Sequence, residues 1–201
     1  MQDPWSLRQL LSATQPVNLA WFERGAVDLA RTLLGCVLLR GETAGMIVEA
    51  EAYLGGDDLA AHASRGKTER TTVLFGPAGR AYVYLSYGMH ECLNVVAQGA
   101  GGAESVLIRA LEPLCGLNVM RARRNWQGST VGLANGPGKL TQALGITRAD
   151  YGRRMDRGEL RIREWRKKPE FEIGVTPRVG ISKCIDWPLR FVWRGNAFVS
   201  R

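Results

Sequence analysis

Cysteine and histidine are scarce in this 201-residue chain, and the few present are scattered. Cys36, Cys92, Cys115 and Cys184 include no Cys-x-x-Cys pair, and the only histidines are His62 and His90. A zinc site normally shows itself by close ligand spacing, so no metal is expected. Cys36 and Cys92 sit in apolar segments and read as reduced core residues of a cytosolic protein. No run of about eighteen apolar residues occurs, so nothing is expected to span a bilayer. The opening Met1-Gln2-Asp3-Pro4-Trp5 lacks the basic start and apolar core of a signal peptide. Internal repeats and low-complexity linkers are missing too.

What is present is apolar residues at 45% of the chain, enough for one globular domain over 1–201, with 1–17 a loosely packed extension. Basic residues outnumber acidic ones 27 to 19, a formal charge of +8. Such a surface favours a polyanion. The basic residues form no juxtamembrane block, so nucleic acid is the expected partner and membrane is not.

Apolar spacing predicts a helix over Phe22 to Leu34, stopped by Gly35. Cys36–Arg40 and Met46–Ala52 read as a β-hairpin around residues 41–45. Residues 55–80 are polar and glycine-rich, a long loop of the kind that carries function. Ala81–Ser86 and Cys92–Val96 read as strands flanking Tyr87-Gly88-Met89. Val106–Leu111 reads as a buried strand after a glycine-rich turn at 99–102. Helices are expected over Pro113–Arg124 and Leu140–Leu144. The charged stretch Arg148–Lys168 reads as a solvated face, and Arg178–Ile181 and Leu189–Trp193 as terminal strands. The sum is one mixed domain built on antiparallel hairpins.

Two constellations carry chemistry. In Ile47-Val48-Glu49-Ala50-Glu51-Ala52-Tyr53, strand alternation puts Glu49, Glu51 and Tyr53 on one side and Val48, Ala50 and Ala52 toward a core. A carboxylate beside an aromatic ring suits a pocket that stacks a flat ligand and activates a water. The alternative is a solvated edge strand with two surface glutamates. In the second hairpin Tyr82, Tyr84 and Ser86 share a face and Tyr87 falls at the turn. An aromatic at an exposed tip of a basic protein can enter a base stack; it can also pack on its own hairpin.

Several segments, in order, resemble the alkyladenine (3-methyladenine) DNA glycosylase family over residues 18–200. They are Glu49-Ala50-Glu51-Ala52-Tyr53-Leu54-Gly55, Ala60-Ala61-His62, Tyr82–Met89, Leu107-Ile108-Arg109-Ala110-Leu111-Glu112-Pro113, Gly136–Leu140 and Pro177–Ile181. Motifs in correct order are far more specific than any one alone. The resemblance implies an α+β fold: one compact domain with a curved antiparallel β-sheet, flanking helices and a protruding hairpin that inserts into DNA. It implies Glu51 as general base activating the water that attacks C1′, with Arg109 near the flipped nucleotide's backbone and that water. Tyr53 on one side, and His62 and Tyr84 on the other, would hold the flipped base. Tyr87 would fill the gap in the duplex, and Asn94 would crowd the amino group of normal guanine. Val179 lies in a segment whose backbone is near the water in relatives. The implied enzyme is a monomeric, monofunctional glycosylase acting on alkylated or deaminated purines in duplex DNA, without cofactor or lyase step. Its place would be the cytoplasm or nucleoid of a bacterium, or the nucleus of a eukaryote.

The chemistry fits the resemblance. An enzyme acting on a base must extrude it and hold it between stacking surfaces. A carboxylate near the sugar both takes water's proton and stabilises an oxocarbenium-like state. Two other motifs fail. Gly136-Pro137-Gly138-Lys139 lacks the preceding glycine of a phosphate-binding loop, and Leu140 stands where Ser or Thr is needed. Lys67, in the polar loop, is no activated Schiff-base lysine. The rival readings are a non-catalytic nucleic-acid-binding module and a nucleosidase; the basic surface and Tyr87 count against the second.

Overall fold

A computed structural model describes residues 3–98 and 102–200. Most of the turn expected at 99–102 lies outside the described residues. The elements in order are α1 (Leu7–Ala13), β1 (Thr14–Pro16), α2 (Ala26–Leu33), β2 (Val37–Arg40), β3 (Thr43–Tyr53), β4 (Ala81–Ser86), β5 (His90–Val96) and β6 (Ser105–Cys115). After these come α3 (Leu117–Arg124), α4 (Pro137–Leu144), β7 (Leu160–Trp165), β8 (Ile173–Thr176) and β9 (Arg190–Trp193). The strands pair antiparallel in the order β1-β7-β2-β3-β6-β5-β4, and β9 joins β3 and β8. The fold is a mixed α+β one with an open antiparallel sheet. Among the described residues no helix is long and apolar enough to cross a membrane.

Alternation along the strands feeds two cores. Leu38 of β2 joins Phe22, Leu29 and Leu33 around α2, together with Leu140 and Leu144 of α4. Its neighbours Val37 and Leu39 face Leu10 of α1 on the other side. Full burial of a side chain such as Phe22 or Leu29 contributes about 1.5–3 kcal/mol. Residues 3–16, read as part of a loose extension, hold α1 and β1. Ser6 and Gln9 form a capping box, and Trp5 lies 5.2 Å from Trp165. Asp3 accepts hydrogen bonds from the backbone N–H groups of Gly116 and Leu117, capping α3.

Several boundaries move. The helix expected from Phe22 is a single 3-10 turn (Leu19–Phe22) followed by α2. Pro113 belongs to β6, opposite Gly45 at a register shift, and the helix begins at Leu117. The stretch Arg148–Lys168 is not simply a solvated face, because β7 lies inside the sheet between β1 and β2. Its Leu160 and Ile162 are buried in the main core, while Arg163 bonds Thr14 and Leu11 on the opposite side. Arg178–Ile181 is a loop between β8 and β9 and not a strand; its backbone is committed elsewhere, as described below.

Candidate active site

The pairing of β3 with β6 slips twice, between Ile47 and Glu49 and again between Glu49 and Ala50, leaving first Val48 and then Arg109 without a register partner. A β-bulge of this kind re-aims side chains. Ile47 and Ala50 therefore both enter the main core, and Val48 does not share that cluster with Ala50 and Ala52 as simple alternation implied. Glu49 and Glu51 share the opposite face with Tyr53. Arg109, freed from the ladder, reaches both carboxylates: its Nε is 2.8 Å from Glu49 Oε1 and 3.5 Å from Glu51 Oε1. Both glutamates are fully buried, which removes the solvated-edge alternative.

The two carboxylates live in different surroundings. Glu49 accepts from Arg109 Nε, from Arg190 Nε at 2.7 Å, and from both the N–H (2.7 Å) and Oγ (2.8 Å) of Ser200. Burial pushes its carboxyl up, but the bonds from Arg190 and Ser200 and the charge of Arg109 outweigh this and hold it below the usual range. Glu51 accepts from the Val179 N–H at 2.8 Å and the Tyr53 hydroxyl at 3.0 Å. For Glu51 burial wins over Arg109 and these two bonds, and its carboxyl stands above its ordinary 4.5. Paired carboxylates driven apart in this way take different roles.

An open cavity of about 800 Å³ adjoins this pair. Its lining includes Tyr53, His62, Tyr82, Tyr84, Asn94, Arg109 and the Val179–Lys183 loop, with Tyr87 at its rim. Glu51 lies behind this lining, bonded to Tyr53 and Val179 and close to Arg109. His62 and Tyr84 meet edge to face at 4.5 Å, and His62 Nδ1 lies 2.8 Å from the Tyr82 hydroxyl. Burial, reinforced by Arg70 and Arg65, lowers His62 to about 4, so its ring is neutral at pH 7. The Val179 side chain is exposed; the residue acts through its backbone, the N–H on Glu51 and the carbonyl 3.4 Å from Arg109 Nη1. Asn94 is buried in β5, and its Nδ2 has no partner among the described residues.

Tyr87 stands apart at the tip of the β4–β5 hairpin, 84% exposed. The Met89 N–H bonds the Ser86 carbonyl, and Tyr87 and Gly88 take φ of 49° and 70°. These are the left-handed values of a type I′ turn, which suits glycine and not an aromatic. Holding a tyrosine there costs about 1–3 kcal/mol, a strain that points to use. The packing alternative for Tyr87 is not what the structure shows.

Sequence reasoning missed the buttress beneath Tyr53. The Arg178 guanidinium lies 4.5 Å from the Tyr53 ring and forms a bidentate pair with Asp58, both side chains fully buried. Asp58 also accepts from the Leu54 and Ala60 N–H groups, so the 55–80 loop is pinned to the end of β3. Gly55 makes the preceding turn at φ 85°, where a Cβ would collide with the Gly102 carbonyl. Arg190 and Ser200, which surround Glu49, were equally unforeseen.

A fully buried carboxylate thus stands behind an aromatic-walled cavity on a chain of charge +8. Comparison with known proteins is specific. The model of the methylpurine-DNA glycosylase family matches residues 20–197, and the chain belongs to that family. A protein of Methanoculleus marisnigri is 52% identical over 188 residues, spanning 90% of this chain and 97% of its own. Proteins of Koribacter versatilis and Rhodopseudomonas palustris are each 47% identical, covering 96% and 94% of this chain and 97% and 90% of theirs. All three bear the name "Putative 3-methyladenine DNA glycosylase".

Proposed function

We propose that this member of a DNA glycosylase family flips a damaged purine out of duplex DNA into the cavity and hydrolyses its N-glycosidic bond. The expected substrates are 3-methyladenine, 7-methylguanine, hypoxanthine and ethenoadenine. The observation that carries the reading is Glu51: buried, shifted upward, and bonded to residues of the cavity wall. Each Glu51 oxygen retains a lone pair beyond its present bonds. A water held between Glu51 and the Val179–Arg109 contact would give its proton to Glu51 as its oxygen attacks C1′. The C1′–N bond breaks, and its electron pair leaves with the purine. A cationic alkylpurine leaves neutral, whereas hypoxanthine needs a proton. Glu51, anionic beside the sugar until it takes that proton, also stabilises the oxocarbenium-like state.

Tyr53 on one side and His62 with Tyr84 on the other would hold the extruded base, and Tyr87 would fill the void left behind. The direct test incubates the protein as a monomer with duplexes bearing one hypoxanthine or ethenoadenine and assays abasic sites. Absence of any base release from either duplex, and from methylated DNA, removes the reading. Tyr87→Ser is expected to weaken lesion binding by about 1–3 kcal/mol, with the fold intact. Ethenoadenine fluorescence reports flipping, and an unchanged flipping equilibrium refutes the wedge role.

Asn94 faces the same cavity from β5, between Leu107 and Tyr82 in register. A buried amide donor without a partner is rarely idle. We assign it to exclusion: the 2-amino group of normal guanine would meet this amide, and rejection by clash is lost on truncation. Asn94→Ser is expected to raise release of mismatched guanine relative to hypoxanthine. A flat ratio in a folded variant makes Asn94 structural.

A further inference from the structure

Glu49 is a fully buried carboxylate whose role the reaction leaves open, and it accepts four hydrogen bonds beside the site. Two of its four donors come from one residue outside the sheet, Ser200, through the N–H at 2.7 Å and the hydroxyl at 2.8 Å. The Ser200 carbonyl in turn accepts from Arg190 Nη2 at 3.3 Å, so the segment following β9 is tied to the same cluster. Arg190 Nε completes the set on Glu49 Oε1.

This arrangement decides where Arg109 sits. Its Nε can face either Glu49 Oε1 or Glu51 Oε1, and it takes the former, 2.8 Å against 3.5 Å. A charge-assisted bond at 2.8 Å is a full one, whereas at 3.5 Å little of it remains. We propose that Ser200 is a positioning residue for base release: by clamping Glu49 it keeps Arg109 Nε on Glu49 and off the carboxylate of Glu51. The inference rests on Glu51 being the base. With the clamp in place Glu51 feels Arg109 only from the side and remains a competent proton acceptor. Without it Arg109 swings toward Glu51, neutralises it and takes up a lone pair the water needs.

The charged and titratable groups around the pair act from every side. Arg109 comes from β6, Arg190 from β9, Arg178 from the β8–β9 loop, and Tyr53 from β3 itself. None of these changes in Ser200→Ala, so any shift in Glu51 reports the movement of Arg109. The sign follows: closer approach of a cation favours the ionised carboxyl, so Glu51 titrates at lower pH in the variant.

The experiment compares wild type, Ser200→Ala and the conservative Ser200→Thr. Single-turnover release of hypoxanthine in Ser200→Ala is expected to fall about tenfold at neutral pH, a loss typical of a disturbed supporting shell. The acid limb of its pH profile moves to lower pH by about half a unit, and Ser200→Thr restores both. Carboxyl titration by NMR on glutamate-labelled protein follows Glu51 with no DNA present. Wild type inert on every lesion overturns the proposed function while the NMR shift still tests the clamp. Ser200→Cys, with a poorer donor on the same backbone, replaces Ser200→Ala should that variant unfold. A Glu51 titration and release rate unchanged in a folded variant overturn the proposal, as does a loss of activity with no shift in the acid limb.

Discussion

Glu51→Gln is expected to abolish base release while leaving lesion binding within about tenfold of wild type. The amide keeps the shape of the carboxylate and one carbonyl oxygen, so the Val179 N–H or the Tyr53 hydroxyl still finds an acceptor. What disappears is the proton acceptor and the negative charge behind the sugar. General-base catalysis contributes about 10²–10⁴-fold, and electrostatic stabilisation of the developing cation adds to it. The loss in kcat should therefore reach about 10⁴-fold or more. Single-turnover assays on a hypoxanthine duplex, with binding measured by fluorescence anisotropy, separate the two effects. Because Glu51 stands above 4.5, wild-type release should fall on the acid side of neutrality as this carboxyl takes up a proton. Glu49→Gln is expected to behave otherwise. It leaves two guanidinium groups facing a neutral amide, so its main cost is stability, about 3–5 kcal/mol. Full activity in Glu51→Gln alongside an inert but folded Glu49→Gln would reverse the assignment.

How much of this site could be read in advance depends on the range of the interactions. The Glu49-Glu51-Tyr53 parity, the hairpin strands and Tyr87 at the turn are local features, and each is visible in a few residues. The bulge at Val48 is not, because it arises from pairing with β6, and alternation alone misplaced Val48. The alternation Leu160, Ile162 in β7 was present in the chain but hidden by the charge count of its surroundings. Pairings across great separations left no trace at all. Asp58 and Arg178 lie 120 residues apart, and Ser200 and Glu49 lie 151 apart. No spacing rule links such residues. The resemblance supplied Arg109 and Val179 by position, while the structure gives their geometry: a side chain released from a ladder and a backbone N–H aimed at a carboxylate.

The Asp58–Arg178 pair is where a second large loss of stability is expected. Both side chains are fully buried, and Asp58 also holds the Leu54 and Ala60 N–H groups. Removing one partner strands a buried charge, so Arg178→Met or Asp58→Asn should lower unfolding free energy by about 3–5 kcal/mol, read from urea denaturation. Burial raises the Asp58 carboxyl, but Arg178 and the two N–H groups more than offset this and hold it below 3.8. For a carboxylate depressed in the folded state the stabilisation is complete above the unfolded value. It disappears as pH falls below 3.8 through the folded one. The single variants should lose that acid dependence along with their stability. Replacing both partners, Asp58→Leu with Arg178→Met, should recover much of the stability, since apolar pairs of similar volume often substitute for buried ion pairs. It should not recover base release. The guanidinium 4.5 Å from Tyr53 fixes the ring that forms one wall of the cavity and donates to Glu51, and methionine supplies no such anchor. Recovery of both stability and activity in the double variant would reduce the pair to a structural staple; single variants within 1 kcal/mol of wild type would remove even that.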